Sequence, residues 1–133
     1  LTACDWWNVF VDQQGQVRRG ELKNGVWHLE VAAAGDYEIE LRRWPREADL
    51  PLAAAAPAAK LTDGDLPAGA ALPIARARIK IGATDESLPL APESRHATYR
   101  VRLPAGPAEL QTWFLRTDGS EVCGAYYVYV KKI

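Results

Sequence analysis

A single all-β domain, an antiparallel β-sandwich of jelly-roll-like or galactose-binding-like type, is the fold this sequence predicts. Apolar and polar residues alternate with period two in four separate segments, the pattern of strands with one buried and one wet face. Glycine, proline and Asp-Gly turn signals separate these segments at short intervals. No long stretch shows the 3.6-residue period of an amphipathic helix.

The elements follow in order along the chain. "VWHLEV" places Trp27, Leu29 and Val31 on one face and His28 and Glu30 on the other. "YEIEL" repeats the pattern, with Tyr37, Ile39 and Leu41 inward and Glu38 and Glu40 outward. The short connector with Gly35 between them predicts a hairpin. Residues Ala48–Pro73 are rich in alanine, but Pro51, Pro57, Pro67 and Pro73 interrupt any helix, so a short edge strand and a long surface excursion are expected. "IARARIKIG" turns Ala75, Ala77, Ile79 and Ile81 inward and Arg76, Arg78 and Lys80 outward. An acidic, proline-bearing loop is expected over Ala83–Glu93, and "TYRVRL" then alternates again. "ELQTWFL" and "AYYVYV" are apolar on both faces and flank an Asp118-Gly119 turn, which implies central or covered strands in a final hairpin. The outward glutamates of the early strands and Arg76, Arg78, Lys80, Arg100 and Arg102 of the later ones imply either cross-strand pairs or a cationic face for an anionic polysaccharide.

Bulk properties narrow the function. The 133 residues suffice for one domain with a sizeable core, and 48% apolar with 25% charged residues is a globular balance. A net charge of −1 argues against nucleic acid as a partner, and no apolar run approaches a membrane span. There is no methionine, so position 1 is not a natural start and the chain is expected to be a piece of a longer protein. Cys4 and Cys123 stand near opposite ends. They imply either a disulfide joining the termini or two separate buried thiols.

No residue pattern points to catalysis or to a metal. Nucleophile-elbow, C-x-x-C, H-E-x-x-H and EF-hand spacings are all missing, and "DGDLPAG" lacks the later ligands of a calcium loop. Aromatic residues are the remaining signal, with five tryptophans and five tyrosines. "GDYEIELRRWPRE" is the most distinctive stretch. Alternation puts Arg43 on the core face and Arg42 and Trp44 on the outer one, and Pro45 ends the ladder. Tryptophan and arginine together can stack on a sugar ring or anchor a protein interface.

Five blocks carry a family resemblance: "LTACDWW" (Leu1–Trp7), "NGVWHLEV" (Asn24–Val31), "GDYEIELRRWPRE" (Gly35–Glu47), "LPIARARIKIG" (Leu72–Gly82) and "AGPAELQTWFLRTDGSEVCGAYYVYV" (Ala105–Val130). Together they resemble the C-terminal accessory domain of bacterial sulfatases of the arylsulfatase type. The resemblance implies that residues 1–133 form a non-catalytic sandwich following a catalytic domain that hydrolyses sulfate esters. That domain would use calcium and a formylglycine made within a C/S-x-P-x-R motif. Neither Cys4, followed by Asp-Trp-Trp, nor Cys123, followed by Gly-Ala-Tyr, fits that motif, so the chemistry is expected upstream. The family implies a periplasmic or extracellular location.

Two functions follow as expectations. The first is a domain that packs against the upstream catalytic domain and borders its substrate cleft. The second is a carbohydrate-binding module for sulfated or neutral glycans. The candidate contacts are Arg42, Arg43, Trp44, Arg46, Trp6, Trp7 and Tyr126.

Overall fold

In a computed structural model, which describes residues 1–7, 23–55, 59–61, 64–66 and 69–133, the described residues form ten strands. These are β1 (Val26–Val31), β2 (Gly35–Arg42), β3 (Ala59–Leu61), β4 (Gly64–Leu66), β5 (Arg76–Ile81), β6 (Thr84–Pro89), β7 (Ala97–Leu103), β8 (Gly106–Leu115), β9 (Glu121–Cys123) and β10 (Tyr127–Lys132). The larger sheet runs β1-β8-β5-β6, with β9 beside the far end of β8, and the smaller runs β10-β2-β7. A separate pair joins β3 and β4, and every pairing is antiparallel. The expected β-sandwich is therefore present.

The inward faces meet in one core. Trp27, Ile39, Leu41, Ile79, Ile81, Leu110, Phe114 and Val128 are all fully buried within it. Each such side chain contributes about 1.5–3 kcal/mol relative to exposure. The inward parity read for β1, β2, β5 and β7 holds throughout. Tyr99 on β7 donates its hydroxyl to the Ala77 carbonyl of β5 at 2.9 Å, a direct polar tie between the sheets. Burial raises the Tyr99 hydroxyl above its ordinary titration range, so it remains a donor.

Three connections differ from expectation. β1 and β2 do not pair as a hairpin. β1 lies beside β8 and β2 between β10 and β7, so Ala32–Ala34 carries the chain from one sheet to the other. Alternation cannot separate the two cases, because a hairpin and an arch both need one apolar face per strand. The acidic segment after Gly82 is an edge strand, β6, rather than a loop. It needs only one partner and buries little, so its alternation is weak. The Asp118-Gly119 turn closes a hairpin between β8 and β9, while β10 crosses to the other sheet. Asp118 Oδ1 accepts from Ser120 N at 2.9 Å, and Gly119 takes a φ of 86°. β8 is apolar on both faces because it is central, one of the two explanations its sequence allowed. Much of the Ala48–Pro73 excursion is visible, but residues 56–58, 62–63 and 67–68 lie outside the described residues.

The first seven residues lace the two sheets together. Leu1 and Val128 exchange main-chain hydrogen bonds at 2.9 and 3.0 Å, and Ala3 N donates to Tyr126 O at 2.8 Å. A single 3-10 turn over Ala3–Asp5 then redirects the chain, and Trp7 N donates to Val26 O of β1 at 2.8 Å. Trp6 lies beneath this strap, 5.6 Å from Trp27 and 5.9 Å from Tyr126 between ring centroids. Two glycines make room for it. A Cβ at Gly25 would lie 2.6 Å from Trp6 Cβ, and one at Gly124 would lie 2.9 Å from Trp6 Cζ2. The Gly25 clash is with the root of the side chain, which no rotamer change relieves. Gly25→Ala is expected to cost about 1–3 kcal/mol by overpacking, measurable by urea unfolding.

Candidate functional site

The stretch that drew attention in the sequence, Glu40–Arg46, forms two arginine sites on opposite sides of the smaller sheet. β2 ends at Arg42, and the chain bends over Arg43 and Trp44 before Pro45. This bend overturns the expected outward position of Trp44. The ring leaves the strand's alternation, turns into the core and is 2% exposed. What covers it is its own chain: the Arg43 guanidinium carbon sits 4.3 Å from the Trp44 ring centroid.

Arg43 is 0% exposed. It donates through Nη1 to Ala54 O at 2.8 Å and to Leu52 O at 3.4 Å, and through Nη2 to Ala70 O. All three carbonyls belong to the Ala/Pro-rich excursion. Burial lowers the Arg43 pKa to about 10, which still leaves it charged at neutral pH. The buried charge is a clamp that fastens the excursion to the end of the sandwich.

The second site lies on the outer face of the smaller sheet. Glu40 accepts from Arg42 Nε and, in a bidentate pair, from Arg46 Nε and Nη2 at 3.1 Å each. Arg46 stacks 4.1 Å from the Tyr129 ring centroid, and its main-chain N–H donates to the Tyr129 hydroxyl at 3.1 Å. Glu40 and Tyr129 are directly opposed on β2 and β10, which brings these groups together. Glu40 was expected on the outer face of its strand. It keeps its outward parity, but the two guanidinium groups and the strand neighbours close over it. Burial alone would raise its pKa, yet the hydrogen bonds from Arg46 and Arg42 hold it at about 2.

The remaining candidates divide by accessibility. Trp6 and Tyr126 are core residues, not stacking platforms, at 6% and 1% exposure. Arg42 is buried beside Glu40, whereas Arg46 is half exposed. Trp7 is 64% exposed, and its ring meets the His28 ring edge-on at 5.4 Å. The disulfide is not formed. Cys4 is an exposed thiol sharing a hydrogen bond with Thr2 Oγ1 at 2.6 Å, and Cys123 is a buried one. Burial pushes the Cys123 thiol up to about 12, so it stays protonated and unreactive. The termini are joined by main-chain hydrogen bonds instead. Among the described residues, no group of three or more His, Cys, Asp or Glu side chains could hold a metal ion, and no helix is long and apolar enough to cross a membrane.

One further feature was not anticipated. An apolar cleft of about 420 Å³ opens between the sheets where β1 and β10 form their edges. Leu1, Leu29, Val31, Tyr37, Leu103 and Val130 line it, and Leu1 and Val130 at its mouth are 40% and 45% exposed. The sequence held the parity of Leu29, Val31, Tyr37 and Leu103 but not which strands stand at the edges.

Fold and surface together define a β-sandwich domain with arginine-based internal fastenings and an open apolar edge. No protein-family model matches the chain, and no curated protein matches its sequence.

Proposed function

We propose that this chain is the non-catalytic β-sandwich domain of a sulfatase, and that it packs on a preceding catalytic domain through the apolar cleft beside Leu1. The family is suggested by the five sequence blocks; the docking surface is suggested by the cleft. Leaving apolar area in water costs roughly 25 cal/mol per Å², and exposed apolar openings mark contact sites. A domain joined ahead of Leu1 emerges at the mouth of the cleft, so the covering surface is close at hand. The earlier candidate contact, Trp44, supports no interface because its own chain covers it. Sulfate ester hydrolysis, calcium and formylglycine belong in this reading to the preceding domain.

The complete reading frame is expected to carry a C/S-x-P-x-R motif ahead of Leu1, and its product to hydrolyse an aryl sulfate. With the two domains produced as separate chains, Val130→Asp is expected to weaken their association about 100-fold. Its melting temperature should hardly move, since Val130 is 45% exposed. Association unchanged by Val130→Asp would remove the cleft from the interface. A reading frame without the motif would remove the sulfatase assignment.

A second reading, a carbohydrate-binding module, is favoured by one observation: the exposed Trp7 beside the larger sheet, where it bridges Val26.

A further inference from the structure

We infer that the outer face of the larger sheet is a binding platform for an uncharged glycan chain, an inference that deepens the carbohydrate-binding reading and does not depend on the sulfatase assignment. Trp7 bridges Val26, Val26 opposes Gln111, Gln111 opposes Lys80, and Lys80 opposes Asp85. Directly opposed residues in antiparallel strands share a face. These five therefore form a single row across the sheet, about 19 Å long at the usual spacing between strands. That is room for several pyranose rings.

The row has the composition of a sugar site. Trp7 offers a largely exposed indole whose orientation is set from two sides, by its main-chain bond to Val26 and by the edge of His28. An apolar ring face held out in water stacks readily on the C–H face of a sugar. Beside it the polar groups alternate in kind. The Lys80 ammonium and Gln111 amide donate, whereas the Glu109, Asp85 and Gln111 oxygens accept, which suits hydroxyls that do both. Glu109 borders two depressions of about 340 and 310 Å³, the first also bordered by Val26, Lys80 and Gln111 and the second by His28.

Charge selects the class of glycan. On this face Arg76, Arg78 and Lys80 stand beside Glu30, Glu109 and Asp85, so cationic and anionic side chains balance. Asp85 grips Arg78 through two hydrogen bonds of 2.8 and 2.7 Å, so that guanidinium is already engaged. Arg78 also covers Trp113, 4.5 Å from the ring centroid, which makes Trp113 a fixed border rather than a second stacking ring. A polyanionic chain would meet as many carboxylates as cations, with Arg78 already held by Asp85. An uncharged chain meets no such opposition.

The test is titration calorimetry of the chain against soluble xylan, galactomannan and laminarin, with chondroitin sulfate as the charged comparison. Binding to at least one uncharged polysaccharide is expected. Trp7→Ala should weaken it at least about tenfold and Gln111→Ala by less. The melting temperature of Trp7→Ala should stay near that of the parent chain, because the side chain is mostly exposed. Failure to bind all three uncharged polymers would overturn the inference, as would binding insensitive to Trp7→Ala or binding confined to chondroitin sulfate. Trp7→Ala should leave association with a catalytic domain intact, because the cleft lies at a sheet edge and not on this face. The two proposals thus fail separately.

Discussion

Arg43→Ala is expected to lower the unfolding free energy by about 3–5 kcal/mol, the range for breaking up a buried charged network. The substitution removes the donor to the carbonyls of Leu52, Ala54 and Ala70 and leaves a void against Trp44. Buried acceptors left without partners each add to the loss. Arg43→Lys should recover little, because an ammonium lacks the planar fork that reaches separate carbonyls while stacking on an indole. Urea unfolding gives the magnitude. Limited proteolysis gives the mechanism, since cleavage within residues 48–73 should accelerate well before global unfolding. If the excursion were cleaved no faster in Arg43→Ala than in the parent chain, the clamp would be disproved.

Glu40→Gln is expected to cost about 3 kcal/mol at neutral pH, because it leaves Arg42 enclosed without its carboxylate. The effect depends on pH in a defined direction. The ordinary value is 4.5 and the folded value about 2, so the folded state favours the ionised form. The stability that this difference supplies is complete above about pH 4.5 and is lost as the pH falls through about 2. The parent chain should therefore lose stability over that window more steeply than Glu40→Gln, and the two curves should converge at the acid end. Thermal melts at half-unit intervals from pH 6 to pH 2 measure this. Parallel curves would mean that Glu40 does not carry the linkage. By contrast, the exposed pairs Glu38–Arg100 and Asp36–Arg102, each at 3.8 Å, should contribute little when broken.

The fold class was legible because alternation reports directly on which face of a strand is buried. Trp27, Ile39, Ile79 and Val101 all fall where parity placed them. Strand neighbours were not legible. The same parity that turns Tyr37, Ile39 and Leu41 inward suits a hairpin with β1 or an arch to the other sheet, and long-range pairing chose the arch. Trp44 shows a second limit. Parity applies only while the ladder continues, and Pro45 marks its end without saying which way the preceding ring will turn. The Glu40–Arg46–Tyr129 group and the row from Trp7 to Asp85 were hidden for the same reason. Each joins residues far apart in sequence whose meeting depends on register. Trp7 was named among the candidates from its residue type, while Gln111, Lys80 and Glu109 gave no local signal.

The arch at Ala32–Ala34 and the crossing of β10 also govern when the molecule can fold. β8 is the hub of the larger sheet, and without it only the β5–β6 hairpin remains of that layer. β2 likewise waits for β7 and β10. A chain emerging from a ribosome can therefore complete neither sheet until its last quarter has been made. Loop closure over such separations is slow, so refolding belongs to the millisecond-to-second range of all-β domains. During that interval the apolar faces of β1, β2 and β5 are uncovered together, and this is when the chain is most open to aggregation and to a chaperone.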